Sequence, residues 1–325
     1  MSGDNLTYCW DSSGQDPELE NVYPVDADFD SAIGGRSLDD NRSTYTTTTS
    51  IEEAMHRLRT RHGRRALDIG TGTGSWAIEF ADEHPECMII GTDISPIQPS
   101  WVPVNCSFQI EDAQQDWGFP TDFFDYIHVR HMTGCIDDWR KLYAQALKTL
   151  TPGSYIEHVE YDIQMRSNSV PGGELPPEHI FKRWYNHFVQ AGRLTGRSFE
   201  FPVLDQGMPK LLKETGFEDV THRTWKVPIG SWAADKNLKE LGLFTLDFLD
   251  NSLEGFALLL FKDVLKINHG QFMDMVEEMR AAWADQKRLQ PYFILTEKFG
   301  IAKRFDATMH MNATTRYDTT TADGI

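Results

Sequence analysis

Apolar and polar residues follow two rhythms through the middle of the chain, and each switch between them marks an element. Ala66-Leu67-Asp68-Ile69 is a short apolar run leading straight into glycines, which predicts a buried strand. Trp76–Glu83 takes the helical period, and Cys87–Asp93 (CMIIGTD) returns to a strand. Ser107–Ile110 (SFQI) and Phe124–Val129 (FDYIHV) read as a third and a fourth strand. Asp138–Leu150 is amphipathic, with Trp139, Leu142, Tyr143, Ala146 and Leu150 along one side. Tyr155–Val159 (YIEHV) is a fifth strand. Strand and helix alternating at this spacing predict βαβ units and a parallel sheet.

Beyond about residue 165 the rhythm changes. Pro176–Leu194 reads as a helix rich in aromatics, and Met208–Thr215 as a second helix stopped by Gly216 in a left-handed cap. Asp219–Val227 is a strand, Leu238–Ile267 is mostly helical, Phe272–Leu289 is an amphipathic helix, and Pro291–Arg304 is a closing strand. The expected architecture is an α/β, Rossmann-like, seven-stranded sheet, with a helical lid inserted after the fifth strand and before the last two. Residues 1–50 hold ten acidic residues against two arginines and end in Thr46–Ser50, a composition that cannot cover a core. They read as a disordered leader, followed by a helical Glu52–Arg61. Residues 51–304 form the domain, with a ligand-binding half at 62–162 and a lid and acceptor region at about 165–267. A Thr-rich flexible tail covers 305–325.

Composition narrows the function. A chain of 325 residues with 40% hydrophobic and 12% aromatic content buries one large core. A net charge of −18 speaks against nucleic acid, whose phosphates require a basic face. The basic run Arg57, Arg59, Arg61, Arg64 and Arg65 reads as a solvated helix face and strand lead-in. Cys9, Cys87, Cys106 and Cys135 form no CxxC pair, so neither a metal site nor a disulfide framework is indicated. The acidic N-terminus lacks the apolar stretch of a signal peptide, and Phe256–Phe261 (FALLLF) is too short to span a bilayer.

The chemistry centres on Asp68-Ile-Gly70-Thr-Gly72-Thr-Gly74, which closes a strand and opens a helix. Glycines belong there because the turn is tight and a ligand must approach the backbone itself. No Gly-Lys-Ser/Thr follows, which excludes a Walker phosphate loop, but Gly72-Thr-Gly74-Ser-Trp-Ala77 fits a dinucleotide fingerprint. Charge separates the readings. Asp68 immediately before the glycines would oppose a pyrophosphate and suits a cationic group, such as the amino group of a methionine moiety. Asp93, with Ile94 beside it, stands nineteen residues after Gly74, where a carboxylate takes two ribose hydroxyls. Asp93 alone would serve a nicotinamide dinucleotide equally well. Phe108-Gln-Ile-Glu111-Asp112-Ala113 then supplies an acid and a small residue at the end of the third strand, and Leu150-Thr-Pro152-Gly153-Ser154 a turn before the fifth. These resemble the adenine-binding acid and the LKPGG turn of class I methyltransferases. Four elements in order point to S-adenosyl-L-methionine.

Longer stretches narrow the resemblance. ALDIGTGTGSWAIEFADEHP (66–85), IIGTDISPIQPSWVPVNCSFQIEDAQQDW (89–117), FDYIHVRHMTGCIDDW (124–139) and LTPGSYIEHVEYD (150–162) resemble the fungal LaeA-like methyltransferases, which include velvet-associated regulators of secondary metabolism. The likeness continues through 237–267. It implies a methyl transfer from S-adenosyl-L-methionine to a small-molecule acceptor. The alternative is a nuclear regulator acting through velvet-type protein partners; neither reading involves nucleic acid or membrane. A cytoplasmic location, or a nuclear one, follows from the same resemblance. One departure accompanies it. The family carries an extra Tyr-rich segment, ending in a helix, ahead of the first strand, whereas Thr46–Ser50 here runs almost directly into Glu52–Leu58.

The cofactor set is therefore Asp68, Gly70, Gly72, Gly74, Asp93, Ile94, Asp112, Ala113 and Arg130. Strand alternation puts His128 and Arg130 on one face and Val129 and His131 on the other. His131, at the strand tip, is a candidate general base or a satisfied loop histidine. Arg130 orients an acidic group or sits in a structural ion pair, and Glu160 is a base or a partner to a cation. Asp125 and Trp139 read as structural, while Trp117 packs beside adenine or in the core. Phe181, Trp184, Tyr185, Phe188, Trp232, Phe244 and Phe248 line an apolar acceptor pocket or pack lid to core, the commoner fate of an aromatic stripe.

Overall fold

The computed structural model describes residues 63–200 and 207–302. The leader, the Glu52–Arg61 helix, the shortened segment before the first strand and the tail lie outside the described residues.

In chain order the elements are β1 (Arg64–Ile69), α1 (Ser75–Glu83), β2 (Cys87–Asp93), β3 (Cys106–Ile110), β4 (Phe124–Arg130), α2 (Trp139–Thr149) and β5 (Leu150–Ser167). Then follow α3 (Ile180–Thr195), α4 (Gly207–Thr215), β6 (Phe217–Pro228), α5 (Lys236–Leu258), α6 (His269–Ala284), the short α7 (Gln286–Leu289) and β7 (Pro291–Ala302). The seven strands make one sheet in the order β3-β2-β1-β4-β5-β7-β6. β1 pairs in parallel with β2 and β4, as do β2 with β3 and β4 with β5. β7 runs antiparallel between β5 and β6. The order reverses at β1 and β4, and such a switch point opens a crevice beyond the carboxyl ends of the strands. This is the seven-stranded class I methyltransferase arrangement that the motifs imply.

Side chains alternate across the sheet, so each strand feeds two layers. On one face Ala66, Tyr126, Tyr155 and Phe299 pack with Ala77 and Phe80 of α1. On the other, Leu67, Ile69, Ile127, Val129 and Ile156 meet Trp139, Leu142, Tyr143 and Ala146 of α2, with Leu212 of α4. The predicted stripe of α2 is thus its buried face, and Asp138 caps that helix by accepting from the Lys141 N–H at 2.9 Å. A third cluster joins α3, α5, the π-helical turn Leu259–Val264 that follows it, and α6 through Phe181, Trp184, Phe188, Leu253, Phe261, Phe272 and Trp283.

Two differences from the sequence reading have physical causes. β5 has 18 residues, far beyond Tyr155–Val159. Antiparallel β7 extends alongside the added length, and Glu160, Asp162 and Gln164 are all buried there. The helical region is also divided rather than a single insertion before the last two strands. α3 and α4 lie between β5 and β6, whereas α5, α6 and α7 lie between β6 and β7. Among the described residues no helix is long and apolar enough to cross a membrane. Cys87, Cys106 and Cys135 are free thiols, and burial pushes Cys87 up to about 12 and Cys106 up to about 11.

Candidate functional site

The glycine loop joins β1 to α1 at the switch point. Gly70, Gly72 and Gly74 have φ of 71°, 58° and 84°, a region that side chains with a Cβ adopt poorly. A Cβ on Gly74 would enter the Phe108 ring at 2.3 Å, and one on Gly70 would meet the Met132 sulfur at 2.2 Å. Nothing lies within 4 Å of a Cβ on Gly72, so the middle of the loop faces open space. The Gly70 and Thr71 N–H groups both donate to the Thr92 carbonyl, at 2.9 and 3.0 Å, which ties the loop to β2. Gly74 caps α1 with its backbone alone, and no side-chain hydrogen bond caps that helix.

Asp93 ends β2 directly beside this loop. Its Oδ2 accepts from the Gly72 N–H and its Oδ1 from the Ser95 N–H, each at 2.9 Å. A carboxylate has about four lone-pair sites, so each oxygen keeps capacity for a hydroxyl donor. Ile94 next to it is exposed at 69%. Asp112 begins a turn in which its Oδ1 accepts from the Gln114 N–H at 2.9 Å, and that bond holds its carboxyl below the usual range. Trp117 donates its indole N–H to the Ala113 carbonyl at 3.0 Å and its backbone N–H to Gln145 at 2.7 Å. It therefore braces the Asp112–Ala113 turn against α2, and its ring packs on the core beneath.

Asp68 is buried under the loop rather than open to it. Its Oδ2 accepts from the Thr71 hydroxyl at 2.6 Å, and its Oδ1 lies 2.8 Å from His128 Nδ1. Trp76 of α1 stacks on the His128 ring at 3.8 Å. Across the strand, Tyr126 donates its hydroxyl to Glu157, whose carboxyl is pushed up to about 8 by burial and then by neighbouring Glu297. Asp68 thus heads a buried polar chain on the α1 face. His128, whose partnership was not foreseen, connects two strands beneath the crevice. Only its place opposite Asp68 in the β1–β4 register could have signalled it.

The loop after β4 carries the acceptor-side candidates. Arg130 is buried at the strand end. His131 has φ 55°, a conformation uncommon outside glycine, and its N–H donates to the Val159 carbonyl at 3.1 Å. This left-handed backbone breaks the expected alternation. The imidazole stacks on Tyr161 at 4.4 Å, on the sheet face shared by Tyr155 and Glu157. Solvent reaches His131. Crowding by surrounding protein, then the adjacent Arg130 charge, hold its imidazolium well below the ordinary histidine range.

Glu160 occupies the opposite face and is 1% exposed. It accepts from the Met132 N–H at 2.6 Å, the Thr133 N–H at 3.2 Å and the Thr133 hydroxyl at 2.8 Å. His158 Nε2 stands 3.0 Å from it, and Tyr143 meets His158 Nδ1 at 2.6 Å. The carboxylate is saturated and removed from solvent. Phe199 packs on the same loop from the lid side, where a Cβ on Gly134 would meet its ring at 2.3 Å.

The remaining candidates are structural. Asp125 accepts from the Arg65 N–H at 3.1 Å, and Trp139 is core. Phe181, Trp184 and Phe188 are buried in the lid cluster, Trp232 donates to the Pro291 carbonyl at 2.8 Å, and Phe244 is exposed at 41%. Gln98, which no motif singles out, reaches the Gly72 carbonyl with its amide at 2.6 Å.

The methyltransferase-domain family matches residues 44–222, more than half of the chain. The chain belongs to that family. Its relatives are the LaeA-like fungal methyltransferases. Methyltransferase pytC of Aspergillus terreus is 40% identical over 205 residues, 62% of this chain and 61% of that protein. Secondary metabolism regulator LAE1 of Cochliobolus heterostrophus is 31% identical over 63% of this chain and 64% of its own length. The protein-methionine methyltransferase laeA of Emericella nidulans is 28% identical over 79% of this chain and 67% of its own. The chain thus spans less than two thirds of the first of these relatives.

Proposed function

We propose that this LaeA-like chain is an S-adenosyl-L-methionine-dependent methyltransferase of fungal secondary metabolism that methylates an O or N atom of a small-molecule intermediate. The observation that carries this reading is Asp93. Its carboxylate is aligned by two backbone N–H groups at the edge of a glycine loop whose middle faces open space. That arrangement fits the cofactor: Asp93 would hold the ribose hydroxyls, Gly72 would let the ligand approach the backbone, and ionised Asp112 beside Ala113 would accept from the adenine amino group. Asp68, Thr71 and His128 support the loop from below, which makes Asp68 a positioning group. Arg130 closes the carboxyl end of β4 between the two halves of the site.

When bound, the cofactor supplies an electrophilic methyl group on a sulfonium. The chain's own part is to orient the acceptor, since positioning alone reaches effective molarities of about 10⁵–10⁸ M. His131 is the group able to take a proton from an acceptor hydroxyl or ammonium, being neutral, solvent-reached and fixed by Tyr161. Glu160 positions it by gripping the Met132 and Thr133 N–H groups. In this reading residues 62–162 take the cofactor and the helical region covers the acceptor.

The regulator among these relatives, LAE1 of Cochliobolus heterostrophus, favours a second reading. In it the chain acts as a regulator through protein partners, velvet-type proteins among them, in the nucleus rather than the cytoplasm, with methylation secondary. Methyl-labelled cofactor added to the purified chain with a fungal lysate separates the two. Label entering the organic-extractable fraction supports the small-molecule reading. Label only in protein, or none above a Gly72→Val control, rejects it.

A further inference from the structure

We propose that Gln98 is a positioning residue of the cofactor site, a side-chain clamp that fixes the glycine loop in its ligand-ready shape; this rests on the cofactor reading above. Gly72 sits in the left-handed region, with open space on its ligand side. Its two peptide groups are gripped from opposite directions. The Gly72 N–H donates to Asp93 Oδ2 at 2.9 Å, and the Gly72 carbonyl accepts from Gln98 Nε2 at 2.6 Å. The second N–H of the same Nε2 donates to the Ser95 carbonyl at 3.0 Å, while the Ser95 N–H donates to Asp93 Oδ1 at 2.9 Å. Asp93 and Gln98 therefore close one ring of hydrogen bonds through Ser95.

The ring explains the residue type. A primary amide offers two donors on one nitrogen and carries no charge. An ionised Glu at 98 would oppose both the Gly72 carbonyl and the Asp93 carboxylate. A Lys there would pair with Asp93 and compete with the hydroxyls it is to bind. The flanking sequence stiffens the clamp. Pro96 and Pro99 bracket Gln98, and the Ile97 N–H turns back to the Ser95 carbonyl at 3.0 Å. With φ fixed on both sides, little freedom is lost in presenting the amide. Gly72 is otherwise the most permissive backbone in the loop, and ordering it on binding would cost affinity.

The test is titration of S-adenosylhomocysteine into the full chain, wild type, Q98A and Q98E, with amide hydrogen exchange of the ligand-free 69–75 segment in the same samples. Q98A is expected to weaken binding by about five- to tenfold, the worth of one good hydrogen bond, and to speed exchange at 69–75 while the melting temperature holds. Q98E is expected to bind more weakly still near neutral pH. It should recover towards wild type at about pH 5, where a protonated Glu beside Asp93 can donate again. That rescue is beyond a merely structural side chain. Unchanged affinity in both variants, or weaker binding with unchanged exchange at 69–75, overturns the clamp. If wild type itself does not bind, the cofactor reading fails and exchange alone decides: faster in Q98A sustains the clamp, unchanged overturns it.

Discussion

The two halves of the molecule are held together by different physics. Around β1 to β4 the working groups are backbone amides and short polar side chains, each tied to a neighbour within a few residues or one strand away. Asp93 bonds Gly72 and Ser95, Asp112 bonds Gln114, and Thr71 bonds Asp68. Around β5 to β7 the order comes from large apolar side chains drawn from distant segments. Trp184 of α3 meets Phe261 and Phe272 from beyond β6, at 4.8 and 6.4 Å between ring centres. The first half is a preorganised polar surface that a ligand can complete. The second is a packed wall that excludes water. His131 sits on the seam, anchored by Glu160 and stacked on Tyr161, with lid residue Phe199 against the same loop.

The largest effect that would break this division is in the wall. Trp184→Ala should cost about 3–5 kcal/mol of folding stability in denaturant titration, while cofactor affinity of the folded protein stays within about twofold. Were the aromatics an open acceptor pocket, stability would hold and acceptor KM would rise instead. On the seam, His131→Asn keeps a residue that tolerates the left-handed backbone. It should lower kcat by about a hundredfold or more for a hydroxyl acceptor. Because His131 is already neutral, the wild-type rate should show no inflection near pH 6.5. An unchanged kcat would reduce His131 to a loop residue.

Glu160→Gln replaces a saturated acceptor by an amide whose NH2 opposes the Met132 and Thr133 donors. A loss of about 1–3 kcal/mol in stability is expected, with kcat falling in parallel and KM nearly constant. Lost turnover at unchanged melting temperature would instead make Glu160 the base. The same account predicts a pH dependence of stability. Glu157 titrates at about 8 in the fold against 4.5 unfolded, so its contribution is full below 4.5 and is lost as pH rises to 8. Lys298, lowered by burial from 10.5 to about 7, works the other way: stability rises from pH 7 to 10.5 as the unfolded chain binds the extra proton. Their sum is a minimum near pH 7–8. Glu157→Gln should remove the acid-side slope, and an unaltered slope in a melting series would contradict the assignment.

Sequence patterns carried the first half further than the second, and the reason is the range of the interactions. Asp68 to Gly74, the end of β2 at Asp93 and the Asp112 turn are local, so residue type and spacing reveal them. The buried stripe of α2 was legible for the same cause. Burial of Glu160, Asp162 and Gln164 depends on β7, more than a hundred residues away, and alternating charge gave no hint of it. The left-handed turn at His131 is set by the anchoring of 132–133 on Glu160, which no local pattern encodes. Asp68 was read as facing a cationic ligand group, whereas it is buried under the loop against His128, which comes from a strand 60 residues on. The lid aromatics were visible as helical stripes, whereas their mutual packing, which removes them from a pocket, was not.

The most direct test of the central claim is calorimetric titration of the purified chain with S-adenosyl-L-methionine, wild type against Asp93→Ala. Saturable binding is expected in the wild type, weakened by the substitution at least tenfold, about 1.4 kcal/mol, since both ribose contacts and the anchor of Gly72 are lost. Absence of binding by well-folded wild type, or equal affinity in the Asp93→Ala variant, would contradict the site described at the glycine loop.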